Sequence, residues 1–326
     1  MKSFGLIFVL YEPSGAFLEN LAKARVGCAN VVAVDNSPEI DSSLHANLQK
    51  QGIQVLPNRN EGGLAGAYNK GAEVLLARPC DVIFLLDQDS DIDASFFADM
   101  MQATIGLGTD TFLLGPKIFE IKLQKCMPVI LPGKPFPKPF HIDYQTTGLF
   151  PTMCIISSGA AISSTAYRKL GAFREDYFIE YIDIEYSLRA VSQNVPVYVN
   201  AAVTLRQSNG NIERRGKLFS THHAAWRRYY VSRNMVHCLN LYRSYSGLHW
   251  VSGLMAIQQG LLVLWFDSKK LEKVTAIACG YLDGVLGRLG TFERQHPYIA
   301  SFCKRSGRKR IAIEDSSSLM ATGSKS

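Results

Sequence analysis

Residues 79–91 read Pro79-Cys80-Asp81-Val82-Ile83-Phe84-Leu85-Leu86-Asp87-Gln88-Asp89-Ser90-Asp91. The apolar run from Val82 to Leu86 is short, partly β-branched, and ends abruptly in acid. That is the length and composition of a strand buried on both faces, as in a parallel sheet. Asp87 and Asp89 then fall at its carboxyl end, where open α/β sheets bind their ligands. Two carboxylates one residue apart can hold one hard divalent cation, Mg2+ or Mn2+, against a diphosphate. The same acids can also form a polar strand exit that caps the next helix at Ser90 or Asp91. The rest of the chain has to decide.

Upstream, Phe4 to Leu10 reads as a first strand, followed by Tyr11-Glu12-Pro13 and a helix from about Gly15 to Ala24 capped by Ser14. Asn30 to Val34 is a second strand, again ending in acid at Asp35-Asn36-Ser37-Pro38. A helix from Ser42 to Gln51 and a strand near Ile53 to Leu56 follow. This alternation predicts a mostly parallel sheet with helices on both sides. Asn58 to Gly71 leads through glycines into a helix with Leu64, Tyr68, Ala72 and Leu75 on one face. Free N–H groups at such a helix start suit a phosphate. Close packing of Gly63 and Gly66 against the sheet explains the glycines equally well.

Downstream, the pattern predicts a helix over Ser95 to Thr104 and a strand at Phe112 to Leu114, broken by Gly115-Pro116-Lys117. Lys125 to Pro151, rich in Pro, Gly and aromatics, reads as a long functional loop or hairpin. Ser157-Ser158-Gly159 sits between apolar residues. Phe178-Ile-Glu-Tyr-Ile-Asp-Ile-Glu-Tyr-Ser-Leu-Arg189 is a second acidic cluster entering a helix, and Val195 to Val199 is a further strand. Past residue 200 the alternation stops. Arg206 to Lys217 reads as a mobile loop and Ala224 to Tyr242 as a helix. Gly247 to Phe266 is strongly apolar but holds His249, Gln258 and Gln259. A membrane span, an interfacial helix and a core helix all remain open there. The domains expected are 1–222, 223–303 and a basic disordered tail, 304–326.

The 326 residues, 47% hydrophobic, allow one large domain with an elaboration. The net charge of +7 suits anionic ligands or an anionic membrane surface. No basic helix interleaved with aromatics appears, so nucleic acid is not expected. Seven cysteines without a Cys-x-x-Cys pair argue against zinc and a disulfide framework, and fit a reducing cytosol.

Four motifs in order carry a family resemblance: Val34-Asp35-Asn36, Asn60 with Gly63 to Asn69, Asp87-Gln88-Asp89, and Phe178 to Arg189. Together they resemble the family 2 glycosyltransferases of GT-A (nucleotide-diphospho-sugar transferase) fold. Within these they resemble bacterial rhamnosyltransferases, nearest those of rhamnolipid synthesis. Later matches are Arg228-Tyr-Tyr, Arg233-Asn234, Asp283-Gly284 and Gly287-Arg288.

The resemblance implies that Leu10 and Tyr11 border the nucleotide and that Asp35 accepts from a pyrimidine base. Asn60 and Gly63 would line the nucleotide or sugar, with Gln88 beside them. Asp87 would face the ribose or sugar, and Asp89, with Asp87, would hold the cation. Asp183 would be the general base, with Ile182 where Glu usually precedes it. Glu185 and Arg189 would orient its loop, with Arg228 and Arg233 in support. The family often has His near the metal after the last strand. Gln207 stands there instead, with His222 or His223 as the alternative ligand.

The activity implied is an inverting transfer of L-rhamnose from dTDP-L-rhamnose to a mono-rhamnolipid-type amphiphile. Alternatives are a lipid-linked O-antigen or exopolysaccharide acceptor and a non-catalytic sugar-nucleotide-binding subunit. Such an acceptor, with Lys269, Lys270, Lys273 and the basic run Lys304 to Arg310, implies a cytoplasmic protein peripherally bound to the inner face of the membrane.

Overall fold

A computed structural model describes residues 2–13, 17–28, 30–133, 137–207, 212–215, 218–221, 223–244, 253–254, 257–258, 260–263, 265 and 269–304. The chain divides into two compact units, Met1–Asn209 with Ser244–Gly247, and Gly210–Arg243 with Leu248–Ser326.

The first unit begins β1 (Phe4–Leu10), α1 (Phe17–Gly27), β2 (Val31–Asp35), α2 (Ser42–Lys50), β3 (Gln54–Pro57), α3 (Gly63–Leu76), β4 (Val82–Asp87) and α4 (Phe96–Ile105). β5 (Leu113–Glu120), β6 (Lys125–Cys126), β7 (Val129–Leu131), β8 (Lys138–Phe140) and β9 (Leu149–Pro151) follow. It ends with β10 (Ala161–Ser163), α5 (Ser164–Leu170), α6 (Ile182–Ser192) and β11 (Val197–Gln207). The main sheet has the order β3-β2-β1-β4-β10-β5-β11-β9, with β6 on β5. β1, β2, β3 and β4 pair in parallel, as do β5 and β11. β10 is antiparallel to both β4 and β5. This is the mostly parallel α/β sheet that the alternation predicts.

The apolar runs of β1, β2 and β4 are buried because helices cover both faces. One face packs Leu6, Phe8, Phe84, Leu86 and Leu114 against Leu21, Leu48, Phe97 and Met100. α3 lies on the other face and approaches β1 closely. A Cβ on Gly71 would stand 2.7 Å from Ile7 Cγ2, so only glycine fits there.

Three expectations are corrected. β5 runs on through Gly115-Pro116-Lys117 to Glu120. Pro116 is tolerated because the β5–β11 register shifts between Asn200 and Thr204, directly opposite it. β11 is accordingly longer than expected and reaches Gln207. The polar stretch after it contains a paired hairpin, β12 (Ile212–Arg215) with β13 (Leu218–Thr221), where a loop was expected. Within Lys125 to Pro151, short strands β7 and β8 pair with each other and β9 joins β11.

The second unit holds that hairpin, α7 (Ala225–Leu241), α8 (Lys270–Leu286) and α9 (Phe292–Gln295). α7 and α8 pack backbone to backbone at Gly280 and Gly284. A Cβ on Gly280 would overlap Tyr229 O, and one on Gly284 would lie 2.6 Å from Arg233 O. Asp283 is fully buried beside them and accepts from Tyr229 Oη and pairs with His296 Nε2, each at 2.7 Å. No helix among the described residues is long and apolar enough to cross a membrane. Ser14, His222, most of 247–266 and the tail after Lys304 lie outside the described residues.

Candidate active site

The parallel strands β1, β2 and β4 end together, which gathers Leu10, Asp35 and Asp87 at one edge of the sheet. Leu10 and Asp35 are register partners, as are Val9 and Asp87. Asp35 is 1% exposed. Its Oδ1 accepts from Ser37 N at 2.9 Å, and its Oδ2 pairs with His45 Nε2 of α2 at 2.7 Å. His45 carries no motif of its own, and its only sequence signal is its place on a helix beginning near that strand end. Asn36, also buried, donates to Gly63 O at 3.0 Å and accepts from Asn58 Nδ2 at 2.7 Å. Two buried amides thus tie the end of β2 to the glycine turn.

Gln88 uses its amide on the chain itself. Its Oε1 accepts from Tyr11 N at 2.8 Å, and its Nε2 donates to Tyr11 O at 3.1 Å. The clamp holds the half-exposed Tyr11 in place beyond β1. Gln88 therefore shapes the wall of the site through backbone rather than by an unengaged side chain.

The glycine turn resolves in favour of close packing. Asn60, Gly62 and Gly63 all have positive φ, and a Cβ on Gly63 would overlap Phe178 O. Leu64 N, in the first turn of α3, donates to that same Phe178 carbonyl at 2.9 Å. The start of α3 thus docks the segment that leads into Asp183, and Leu64 N–H is spent there instead of on a phosphate.

The acidic groups converge on one turn between Ile155 and β10. Asp87 accepts from Tyr68 Oη at 3.2 Å and from Ser158 Oγ. Burial pushes the Asp87 carboxyl up, and the charge of Asp89 adds to that, against the two hydroxyl donors. Burial and the Asp87 charge hold the Tyr68 phenol well above its ordinary value, so it remains a proton donor. Asp183, at the start of α6, accepts from Ser157 N at 3.3 Å and Ile184 N at 2.8 Å. Burial, with Glu180 nearby, pushes its carboxyl up to about 6. Ser157 and Ser158 are consecutive, so one turn holds both Asp87 and Asp183. Gly159 makes that turn at φ +76, where a Cβ would meet Leu205, Pro116 and Phe96 within 3.0 Å. Ser157-Ser158-Gly159 is given no part by the motifs, and its signal in the sequence is two hydroxyls and a glycine between apolar strands.

Glu185 is 1% exposed, not on a solvated helix face. It binds Arg189 through both carboxylate oxygens, and Arg189 Nη1 donates to Leu170 O at 3.1 Å and Ala172 O at 2.7 Å. Asp89 is exposed and accepts no hydrogen bond from the described residues. Among those residues no three His, Cys, Asp or Glu side chains gather as a metal site. Asp89, next to the crowded Asp87, still fits a cation that takes its remaining ligands from a diphosphate and water. Gln207 ends β11, its carbonyl accepting from Ile121 N at 3.0 Å. Arg228 and Arg233 belong to the second unit, as does His223. Both arginines are buried, and Arg233 stacks over Tyr229 and Tyr230.

Residues 22–171 match the family described as Glycosyl transferase family 2. The dTDP-rhamnosyl transferase RfbF of Shigella flexneri is 24% identical over 290 residues, covering 87% of this chain and 96% of that protein. A low-salt glycan biosynthesis hexosyltransferase of Haloferax volcanii is 21% identical over 306 residues, covering 90% and 94%. Among solved structures, GalNAc-T7 with UDP, GalNAc and Mn2+ superimposes with a TM-score of 0.54 at 13% identity. That match covers 74% of this chain but only 48% of GalNAc-T7. S. aureus TarS 1–349 in complex with UDP-GlcNAc gives 0.54 at 15% identity, covering 87% and 82%. The two structural likenesses establish a shared GT-A fold. The match of residues 22–171 and the two curated relatives, each aligned over most of the chain, make this protein a glycosyltransferase.

Proposed function

We propose that the enzyme transfers L-rhamnose from dTDP-L-rhamnose, with inversion, to an amphiphilic glycolipid of the mono-rhamnolipid kind at the inner membrane surface. The observation that carries this reading is the turn Ser157-Ser158, which binds both the half-buried Asp183 carboxyl, pushed up to about 6, and the Asp87 carboxylate at the end of β4. The donor is argued from the likeness to a dTDP-rhamnosyl transferase over 87% of the chain.

In this reading Asp35 accepts from the imide N–H of the base, held by Ser37 N and His45. Leu10, Tyr11, Asn60 and Gly63 line the nucleotide, and Asp87 faces the sugar side. Asp89 would hold Mg2+ or Mn2+, whose charge would offset that of the departing diphosphate. Asp183 takes the proton of the attacking hydroxyl. A carboxylate near 6 is ionised at neutral pH yet basic enough to accept it as the new bond forms. Arg189, fixed by Glu185, holds the carbonyls of Leu170 and Ala172 and so the loop before Asp183.

The test is transfer of labelled rhamnose from dTDP-L-rhamnose to mono-rhamnolipid, with a lipid-linked polysaccharide acceptor in parallel. Product only from the second acceptor would move the assignment to surface polysaccharide. Binding of donor with neither transfer nor hydrolysis would remove the catalytic reading.

A further inference from the structure

In a helix packed on one side, the apolar stripe normally faces the neighbour. α8 does the reverse on half of its circumference. Lys273, Ala276, Gly280, Asp283 and Gly284 are buried on the side of α7. On the opposite side Leu271 is 69% exposed, Leu282 53%, Val285 66% and Leu286 52%, with Val274 at 38%. At 100° per residue these five fall within an arc of about 120°. The glycine contacts with α7 explain the buried side, since backbone approach there needs small residues. They leave no structural reason for a row of large apolar side chains facing solvent.

Exposed apolar side chains also occur just before α8. The described residues between 253 and 265 are helical, and Leu254, Ile257, Leu261 and Trp265 are 66%, 64%, 45% and 70% exposed. Exposed apolar surface of this extent marks a contact with another apolar phase.

The surroundings point to which phase. Lys270 and Arg288, both exposed, stand at the two ends of the α8 stripe. Trp265 and the 90% exposed Tyr298 are residue types that settle at a bilayer interface. Cations at both ends of an apolar stripe complement anionic headgroups above an acyl layer. They would repel each other across a symmetric contact between two copies.

We infer that the exposed face of α8, with the exposed Leu254, Ile257, Leu261 and Trp265 before it, is the surface by which this protein lies on an anionic lipid bilayer without crossing it. The inference deepens the proposed reading by naming the face that meets the membrane, and it rests on that reading only for its biological purpose.

The experiment is co-sedimentation of the full chain with phosphatidylglycerol/phosphatidylethanolamine vesicles and with neutral phosphatidylcholine vesicles. The variant is the triple substitution Leu271→Ser, Leu282→Ser and Val285→Ser, all at exposed positions. Wild type should bind anionic vesicles, and the triple variant should partition at least about a hundredfold less. Lys270→Gln should weaken binding about fivefold, and raised salt should weaken it too. Hydrolysis of dTDP-L-rhamnose in solution should be unchanged in all variants. Equal vesicle binding by wild type and triple variant, or binding to neither vesicle, overturns the inference. So does a solution dimer, seen by light scattering, that the triple substitution dissociates, since the face then belongs to a second copy. Vesicle binding that behaves as expected in a protein without donor hydrolysis leaves this face standing and refutes the transfer reading instead.

Discussion

Replacing Asp183 by asparagine should move activity and stability in opposite directions. The carboxyl rises from 3.8 to about 6 because it is buried near Glu180. The native state thus holds this proton more tightly than the unfolded chain. Stability contributed at this site is greatest at low pH and falls as pH rises through the window from about 4 to about 6. Above that window the full cost remains, about 3 kcal/mol for a rise of this size. The asparagine amide of the variant carries no charge, so that cost disappears at pH 8. One penalty offsets it: the amide must present Nδ2 to either Ser157 N–H or Ile184 N–H, where two donors meet. That costs about 1 kcal/mol. The net expectation is a gain of about 2 kcal/mol at pH 8, or about 4–8 °C in the melting of a unit this size. The gain should vanish below about pH 4, where the wild-type carboxyl is protonated in both states. Transfer should meanwhile fall about a hundredfold or more, with donor binding nearly unchanged. In the wild type, kcat/KM should lose about tenfold per pH unit below about pH 6. Calorimetry at pH 8 and pH 4, with initial-rate assays, decides the matter. Near-normal turnover in the variant, or a melting point lowered at pH 8, would refute the reasoning.

Three further outcomes follow from the same geometry. His45→Ala should leave Asp35 Oδ2 buried without its partner and raise the Kd for dTDP roughly tenfold while kcat changes little, as read by calorimetric titration and steady-state rates. Equal dTDP affinity would remove His45 from the donor site. Asp89→Ala should abolish transfer, and chelation of the wild type should do the same reversibly on adding Mn2+ or Mg2+. Full-rate transfer after chelation would show that no cation is needed. Gly63→Ala must hold an alanine at φ +64 with its Cβ against Phe178 O, which should cost at least about 2 kcal/mol in urea unfolding. An unchanged midpoint would mean that the turn and the Phe178 loop give way easily.

Periodicity along the chain determined the parallel half of the sheet and the acids at its strand ends. A strand buried on both faces must be a continuous apolar run, and β1, β2 and β4 are such runs. Asp35 and Asp87 were legible for the same reason, since each follows such a run directly, and Asp89 stands two residues beyond Asp87. The break expected at Gly115-Pro116-Lys117 was misread because local rules forbid proline inside a paired strand. The relief comes from β11, more than eighty residues later, whose register shifts opposite Pro116. Tertiary structure alone decided how the acids are held. Ser158 reaches Asp87 across 71 residues, Ser157 reaches Asp183 across 26, and His45 crosses from α2 to Asp35. Leu64 N–H at the glycine turn is spent on Phe178 O, a contact that no local pattern encodes. The exposed stripe of α8 belongs to the same class. The sequence shows which residues are apolar, but only the close backbone contact of Gly280 and Gly284 with α7 determines which side of the helix is buried and which is left for another surface.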